Sequence, residues 1–325
     1  MKSPAEQALP ARCGVIGTGA MGPGIALSLA TGGFDVVLLG RSDEALEAAN
    51  GKLIAAAPLV VEAGIGDDVE PEAITGRIGL SKDLDELHEA DYVVEAIPEN
   101  LAAKTELYTD LEKVVSPEAV VASTTSAQSP SVLQVAMAHP ERFIVTHYAQ
   151  PAELDPVCEV VSGSKTAPAT EAVAVSVLAQ CGVAAARCAD VPGFVWSRLQ
   201  LCILRECAAI VDAGIATVAD VDLVMKQGYA SRLPAMGPFE HADLGGLDLM
   251  SQLAQEVWPH LDNADSPSGG LLSQLVGAGR MGIKTGTGFY DWSARDSADF
   301  RRRRDEEVLR RRKALANEIS PEAGG

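Results

Sequence analysis

Several absences narrow what this 325-residue chain can be. No apolar run approaches the roughly 18 residues that cross a bilayer, so neither a membrane span nor a membrane partner is expected. No C-x-x-C pair occurs among Cys13, Cys158, Cys181, Cys188, Cys202 and Cys207. The five histidines show no ligand spacing either, so no metal site is expected. The cysteines read as small core residues of a reducing compartment. No apolar signal core precedes Cys13, and the compartment expected is the cytoplasm. Basic residues are short: 26 Lys+Arg against 45 Asp+Glu leave a net charge of −19. A field of that sign repels phosphate backbones, so no nucleic-acid partner is expected. No internal repeat is present.

What remains is an ordinary globular composition, 47% hydrophobic and 22% charged. The length predicts two domains, each able to bury a core. Up to residue 190, short β-rich runs alternate with helical patterns. Strands are predicted at 13–17, 36–39, 78–80, 92–96, 120–123, 143–147 and 157–161. Helical spacing fills 21–31, 43–63 and 101–115. Such alternation predicts an α/β fold with a parallel, doubly wound sheet covered on both faces. Pro192-Gly193 punctuates the pattern, and from Phe194 onward it is almost purely helical. The predicted division is 1–190, a Rossmann-type domain, and 191–325, an all-helical domain. The Arg-rich tail, 300–316, carries opposite charges three to four apart and reads as an exposed, solvated helix.

The first strand runs into Gly17-Thr18-Gly19-Ala20-Met21-Gly22, and a helix opens directly after it. In this G-x-G-x-x-G, Gly17 allows a tight turn, Gly19 lets backbone approach a pyrophosphate, and Gly22 permits close helix–strand contact. The strand–turn–helix setting and a second strand about 20 residues on make this a dinucleotide fingerprint. The second strand ends at Gly40 rather than at the Asp or Glu that accepts from a ribose 2′-hydroxyl. Arg41 and Ser42 follow, able to bond a 2′-phosphate, so NADP is expected to be favoured over NAD. The alternative is that Arg41 stacks on adenine without discriminating.

His147 lies at the end of one β-rich segment, and Glu159 follows twelve residues later in the next. A carboxylate beside an imidazole fixes its tautomer and equips it as a general base. Spacing alone does not bring the two together. Ser126, just past a strand, could bond a substrate oxygen or cap a helix.

Taken together, these segments resemble the L-3-hydroxyacyl-CoA dehydrogenase family from about Cys13 to Tyr290. They include GTGAMGPGIA at 17–26, VVEAIPENLAAK at 93–104, STTS at 123–126 and His147 through Pro151 to Glu159. VPGFV at 191–195, GPFE at 237–240 and GIKTGTGFY at 282–290 complete the set. The resemblance implies a Rossmann domain, a helical domain that dimerises, and a homodimer. It implies His147 and Glu159 as the catalytic pair, Ser126 on the substrate oxygen, and Glu99, Lys104 and Lys284 at the cofactor. On composition alone Lys104 and Lys284 would be solvated charges. Gln150 and Ser197 stand where the family carries Asn, so the substrate pocket differs chemically.

Family members acting on acyl-CoA carry lysines after the second strand. Here 53–76 holds no Lys or Arg but Glu62, Asp67, Asp68, Glu70 and Glu72. Those carboxylates, with no cation to offset them, would repel a 3′-phosphoadenosine. The expected substrate is therefore a small hydroxy acid or related alcohol. The chain looks closer to the branch containing lambda-crystallin/L-gulonate dehydrogenase and the pyridine-alcohol dehydrogenases of vitamin B6 breakdown. Two alternatives stand beside it: a hydroxyacyl thioester on CoA or a carrier protein, and a non-catalytic crystallin-like scaffold.

Overall fold

A computed structural model describes residues 9–65 and 69–319. The N-terminal stretch before Leu9, read above for a signal core, and Asp67 and Asp68 lie outside the described residues. The chain forms two compact units, with breaks after Ser197 and after Arg301.

The first unit is built on one eight-stranded sheet in the order β3-β2-β1-β4-β5-β6-β7-β8. Its strands are β1 (Arg12–Ile16), β2 (Asp35–Leu39), β3 (Ile78–Ser81), β4 (Tyr92–Glu95), β5 (Val120–Ser123), β6 (Phe143–Tyr148), β7 (Val157–Ser162) and β8 (Ala184–Cys188). The helices between them are α1 (Gly22–Thr31), α2 (Asp43–Glu62), α3 (Pro71–Thr75), α4 (Leu101–Val114), α5 (Pro130–Leu133) and α6 (Pro168–Gln180). The strands read as continuous apolar runs because both faces are covered. Alternate residues feed two cores. Cys13, Val15, Val36 and Leu38 pack with Ile25, Leu53 and Val177 on one face. Ile16, Val37, Leu39 and Val93 pack with Tyr108, Leu111 and Leu133 on the other. Burying one such side chain contributes about 1.5–3 kcal/mol.

Two features depart from the sequence reading. Strands β1 to β6 are parallel, but β6 and β7 pair antiparallel. Only 149–156 connects them, too short for a helical crossover, so the chain must double back. Strand β8 was missed: Ala184-Ala185-Ala186-Arg187-Cys188 has low strand propensity, and its pairing with β7 makes it a strand.

The second unit is helical: most of α7 (Trp196–Asp212), then α8 (Val218–Leu223), α9 (Pro238–Gly245), α10 (Leu247–Val257) and α11 (Leu271–Gly277). The long α12 (Ser297–Ile319) leaves this unit at Arg301 and belongs to the first from Arg302 on. Its Leu309 joins the sheet core, Arg312 is buried and donates to the Gly182 carbonyl, and Lys313 pairs with Glu62 at 2.9 Å. The tail is thus no merely solvated helix: its apolar residues face a core that needs covering. Lys313 also supplies Glu62 with the cation that the sequence around it lacks. The six cysteines are free; Cys13, Cys158 and Cys181 are buried as expected, whereas Cys202 is exposed. No described helix is long and apolar enough to cross a membrane.

Candidate active site

The parallel register aligns the carboxyl ends of four strands. Ile16 pairs with Glu95, Glu95 with Ser123, and Ser123 with Val145. The glycine turn, the 96–100 loop and Ser126 therefore leave the sheet along one edge, where His147 stands two residues past Val145 in β6. Strand order reverses between β1 and β4, the switch point where doubly wound sheets bind ligands.

At the turn, Gly17 has φ +121°, and a Cβ there would meet the Ala96 carbonyl oxygen at 2.6 Å. A Cβ on Gly22 would lie 1.7 Å from the Gly17 oxygen. Both glycines are required by the protein itself. Gly19 is different: a Cβ there would meet nothing within 4 Å. Its bareness serves no internal packing, and the amides of Gly19, Ala20 and Met21 have no acceptor among the described residues. Unpaired amides, an open face and the start of a ten-residue helix fit a dinucleotide's phosphates.

At the end of β2, a Cβ on Gly40 would come within 2.7 Å of Leu46 and 2.9 Å of Thr18. Leu46 and Thr18 thus fill the space an acidic residue would need. Arg41 is exposed and makes no ion pair among the described residues. The Ser42 oxygen accepts from Ala45 N at 3.2 Å as the cap of α2. Its hydroxyl also bonds the Glu44 carboxyl, which helps hold that group below its ordinary value.

The β6–β7 hairpin places His147 directly opposite Glu159. Imidazole Nδ1 donates to Glu159 Oε2 at 2.7 Å, and both side chains are buried. The other carboxylate oxygen accepts from the amides of Val195 and Trp196, each at 2.8 Å, and from the Cys188 thiol at 3.5 Å. Burial pushes the Glu159 carboxyl up, but the imidazole and the two amides more than offset this and hold it below its ordinary value. Burial and the Glu159 charge push the Cys188 thiol up to about 11, so it stays a donor. The bonded Nδ1–H sets the tautomer, leaving Nε2 to exchange a proton. Those two amides are delivered by the turn at Gly193 and Phe194. Phe194 is the one described non-glycine with positive φ, +48°; it is fully buried, with its ring 5.8 Å from the imidazole. Backbone held there costs on the order of 1–3 kcal/mol, which the packing around Phe194 sustains.

Lys104 is not the solvated charge its composition suggests. Its side chain is 1% exposed, and the ammonium lies 2.9 Å from both oxygens of the fully buried Glu95. Glu95 also accepts from Tyr108 and Ser123, each at 2.7 Å, and from Ile97 N at 2.8 Å. Lys104 reaches Glu99 at 3.5 Å. Glu99 in turn accepts from Thr125 Oγ at 2.7 Å and from Ser126 N at 3.0 Å, so this chain of bonds ends by fixing the Ser126 loop. Ser126 is exposed and caps no helix; Ser129 precedes α5 instead. Ser197 Oγ donates to the Ser126 carbonyl at 3.4 Å. Gln150 is exposed and hydrogen-bonds to nothing described. Lys284 lies in the second unit, exposed and without a described partner, in a loop where a Cβ on Gly288 would collide with Gly282. No group of three or more potential metal ligands occurs among the described residues.

Glu95, Cys188 and the Val195 and Trp196 amides went unrecognised in the sequence. The VPGFV turn reads in sequence as a boundary and a family segment, and nothing local marks a backbone amide as a carboxylate's partner.

Family models described as the 3-hydroxyacyl-CoA dehydrogenase NAD binding domain and C-terminal domain match residues 12–191 and 193–292. A probable 3-hydroxybutyryl-CoA dehydrogenase from Deinococcus radiodurans is 35% identical over 279 residues, 86% of this chain and 99% of that protein. A 5-formyl-3-hydroxy-2-methylpyridine 4-carboxylate 5-dehydrogenase from Mesorhizobium japonicum is 30% identical over 303 residues, 93% and 97% of the two chains. A crystal structure of a dehydrogenase of that pyridine carboxylate, described as an NAD+ dependent dismutase, superposes with TM-score 0.89 at 28% identity, covering 94% and 98%. The (S)-3-hydroxybutyryl-CoA dehydrogenase from Ralstonia eutropha superposes with TM-score 0.71 at 27% identity, covering 87% and 99%.

Proposed function

The chain belongs to the 3-hydroxyacyl-CoA dehydrogenase family and is an oxidoreductase of the CH–OH group; from that premise we propose that it interconverts a small β-hydroxy acid or related alcohol and its carbonyl form, with NADP favoured over NAD. The observation that carries the reading is the buried His147–Glu159 pair at 2.7 Å. His147 Nε2 takes the hydroxyl proton during oxidation and returns it during reduction. Glu159 stabilises the imidazolium so formed, and the Val195 and Trp196 amides keep that carboxylate ionised. Ser126 holds the substrate oxygen, on a loop tied down through Glu99, Lys104 and Glu95. Ser197, bonded to the Ser126 carbonyl, and Gln150 shape the substrate pocket. The nicotinamide, bound with its phosphates at the Gly17–Gly22 turn, supplies the two-electron acceptor. Glu99, Arg41 and Ser42 would hold it, Arg41 and Ser42 at the 2′-phosphate, and Lys104 would serve it through Glu99; Lys284 is assigned to the coenzyme by the resemblance alone. Gly40 and the exposed Arg41 support the NADP preference, whereas the solved pyridine-carboxylate dehydrogenase is described as NAD+ dependent.

Size of substrate separates two readings. The greater structural likeness to the pyridine-carboxylate dehydrogenase and the exposed Glu70 and Glu72 favour a free acid. The Deinococcus relative and the Lys313–Glu62 pair favour a CoA thioester. Cofactor fluorescence over a panel of hydroxy acids, ring alcohols and acetoacetyl-CoA, with both coenzymes, decides. Turnover of a free hydroxy acid, fastest with the 2′-phosphorylated coenzyme, is expected. A strong rate with acetoacetyl-CoA alone overturns the free-acid reading, and coenzyme binding without turnover of any compound favours the scaffold.

The quaternary reading is a cytoplasmic homodimer through the helical unit. On α10, Leu249, Leu253 and Val257 form an exposed line at i, i+4 spacing, a face suited to burial against a second copy.

A further inference from the structure

Residues 43–76, spanning α2 and α3, contain eight carboxylates and a single cation, Lys52. A helical lysine in such a field ordinarily pairs three or four residues along its own helix. Here those places hold Ala48, Ala49, Ala55 and Ala56, and no pair forms. The ammonium instead donates to the Gly19 carbonyl at 2.8 Å and to the Thr18 carbonyl at 3.4 Å.

Those two carbonyls belong to the Thr18–Gly19 and Gly19–Ala20 peptides, whose amides are among the unpaired donors of the glycine turn. A cation on a peptide oxygen polarises that peptide and strengthens its N–H as a donor. It also places positive charge beside a face where Gly19 leaves open space. We propose that Lys52 is a residue of the dinucleotide phosphate site, holding the turn and raising its affinity for a phosphate group of the coenzyme. The one cation of the acidic arm then serves the coenzyme and not an acyl carrier. This rests on the reading of the turn as a dinucleotide site, and not on the identity of the substrate or on the preference for NADP.

The test is fluorescence titration of the full-length chain with NADH and with NADPH, and competition by ADP-ribose, for the wild type, Lys52→Met and Lys52→Arg. Removing one cation near an exposed phosphate should raise Kd by roughly three- to tenfold, about 1 kcal/mol. Lys52→Arg should recover most of that affinity. Equal loss for all three ligands assigns Lys52 to the pyrophosphate, and loss for NADPH alone assigns it to the 2′-phosphate. Three results overturn the proposal: Kd unchanged within twofold, a lowered Tm with Kd unchanged, or a loss confined to the KM of acetoacetyl-CoA. A wild-type chain that binds neither coenzyme overturns it together with the dinucleotide reading. Absence of turnover with normal coenzyme binding would count against the proposed activity alone.

Discussion

The two units treat burial in opposite ways. The first buries Glu95, Lys104, Arg142, His147 and Glu159, each with an ionic or charge-assisted partner, between two apolar cores. In the second, Leu275 is the only buried hydrophobic side chain among the described residues 198–301, while Phe239, Leu244 and Trp258 stand 86%, 74% and 72% exposed. A frame that desolvates paired charges can hold a proton-transfer site rigid. The helices of the second unit leave large apolar side chains against water, and the second copy proposed above is what would cover them.

Substitutions can press on each side of this contrast. The largest effect is expected at the site: His147→Gln should lower kcat roughly 10²- to 10⁴-fold while coenzyme Kd stays unchanged. Near-normal turnover would mean that the buried pair is only structural. Next is Glu95→Gln, which removes the nearer partner of the buried Lys104 charge and leaves it Glu99 at 3.5 Å; this should cost about 3–5 kcal/mol, a fall in Tm on the order of ten degrees. Glu95→Leu with Lys104→Met should restore much of that Tm yet leave kcat low, because Glu99 and the Ser126 loop lose their tie. Recovery of both would show that the buried network does not serve the site.

In the second unit the contrast predicts a change of assembly rather than of chemistry. Leu253→Asp should convert a dimer to monomer in sedimentation, with loss of stability that depends on protein concentration. A monomeric wild type would remove the reason given for the exposed α10 line. The smallest effect is in acid. Because the folded-state value of Glu159 is depressed, its contribution to stability is present above its ordinary value near 4.5 and is lost as pH falls through the lower folded value. Glu159→Gln should therefore flatten the acid limb of a Tm–pH curve. An unchanged limb would mean that the amides of Val195 and Trp196 do not favour the charged carboxylate.

Much of the site was legible because it is local. The glycine turn is a contiguous string, and Gly40-Arg41-Ser42 follows at its expected distance. His147, Glu159 and Ser126 were recognisable by resemblance. Lys104 was misjudged from composition, since its neutralising partner, Glu95, sits nine residues earlier at the end of another element. The Arg-rich tail was misjudged for a similar reason. Its i, i+4 charge pattern describes the face seen by water, while Leu309 joins the core of the sheet and Arg312 meets Gly182, 130 residues earlier.

The order of residues alone determined the alternation of strands and helices, the phosphate turn and the lack of an acidic 2′-hydroxyl acceptor, all set within a few residues of each other. Tertiary structure alone decided that β7 turns back beside β6, so that an imidazole and a carboxylate twelve positions apart become cross-strand neighbours. It also decided that a strained turn at Phe194 would aim two amides at that carboxylate. Such pairings depend on how distant segments share one desolvated interior, where an unpartnered charge is too costly to remain.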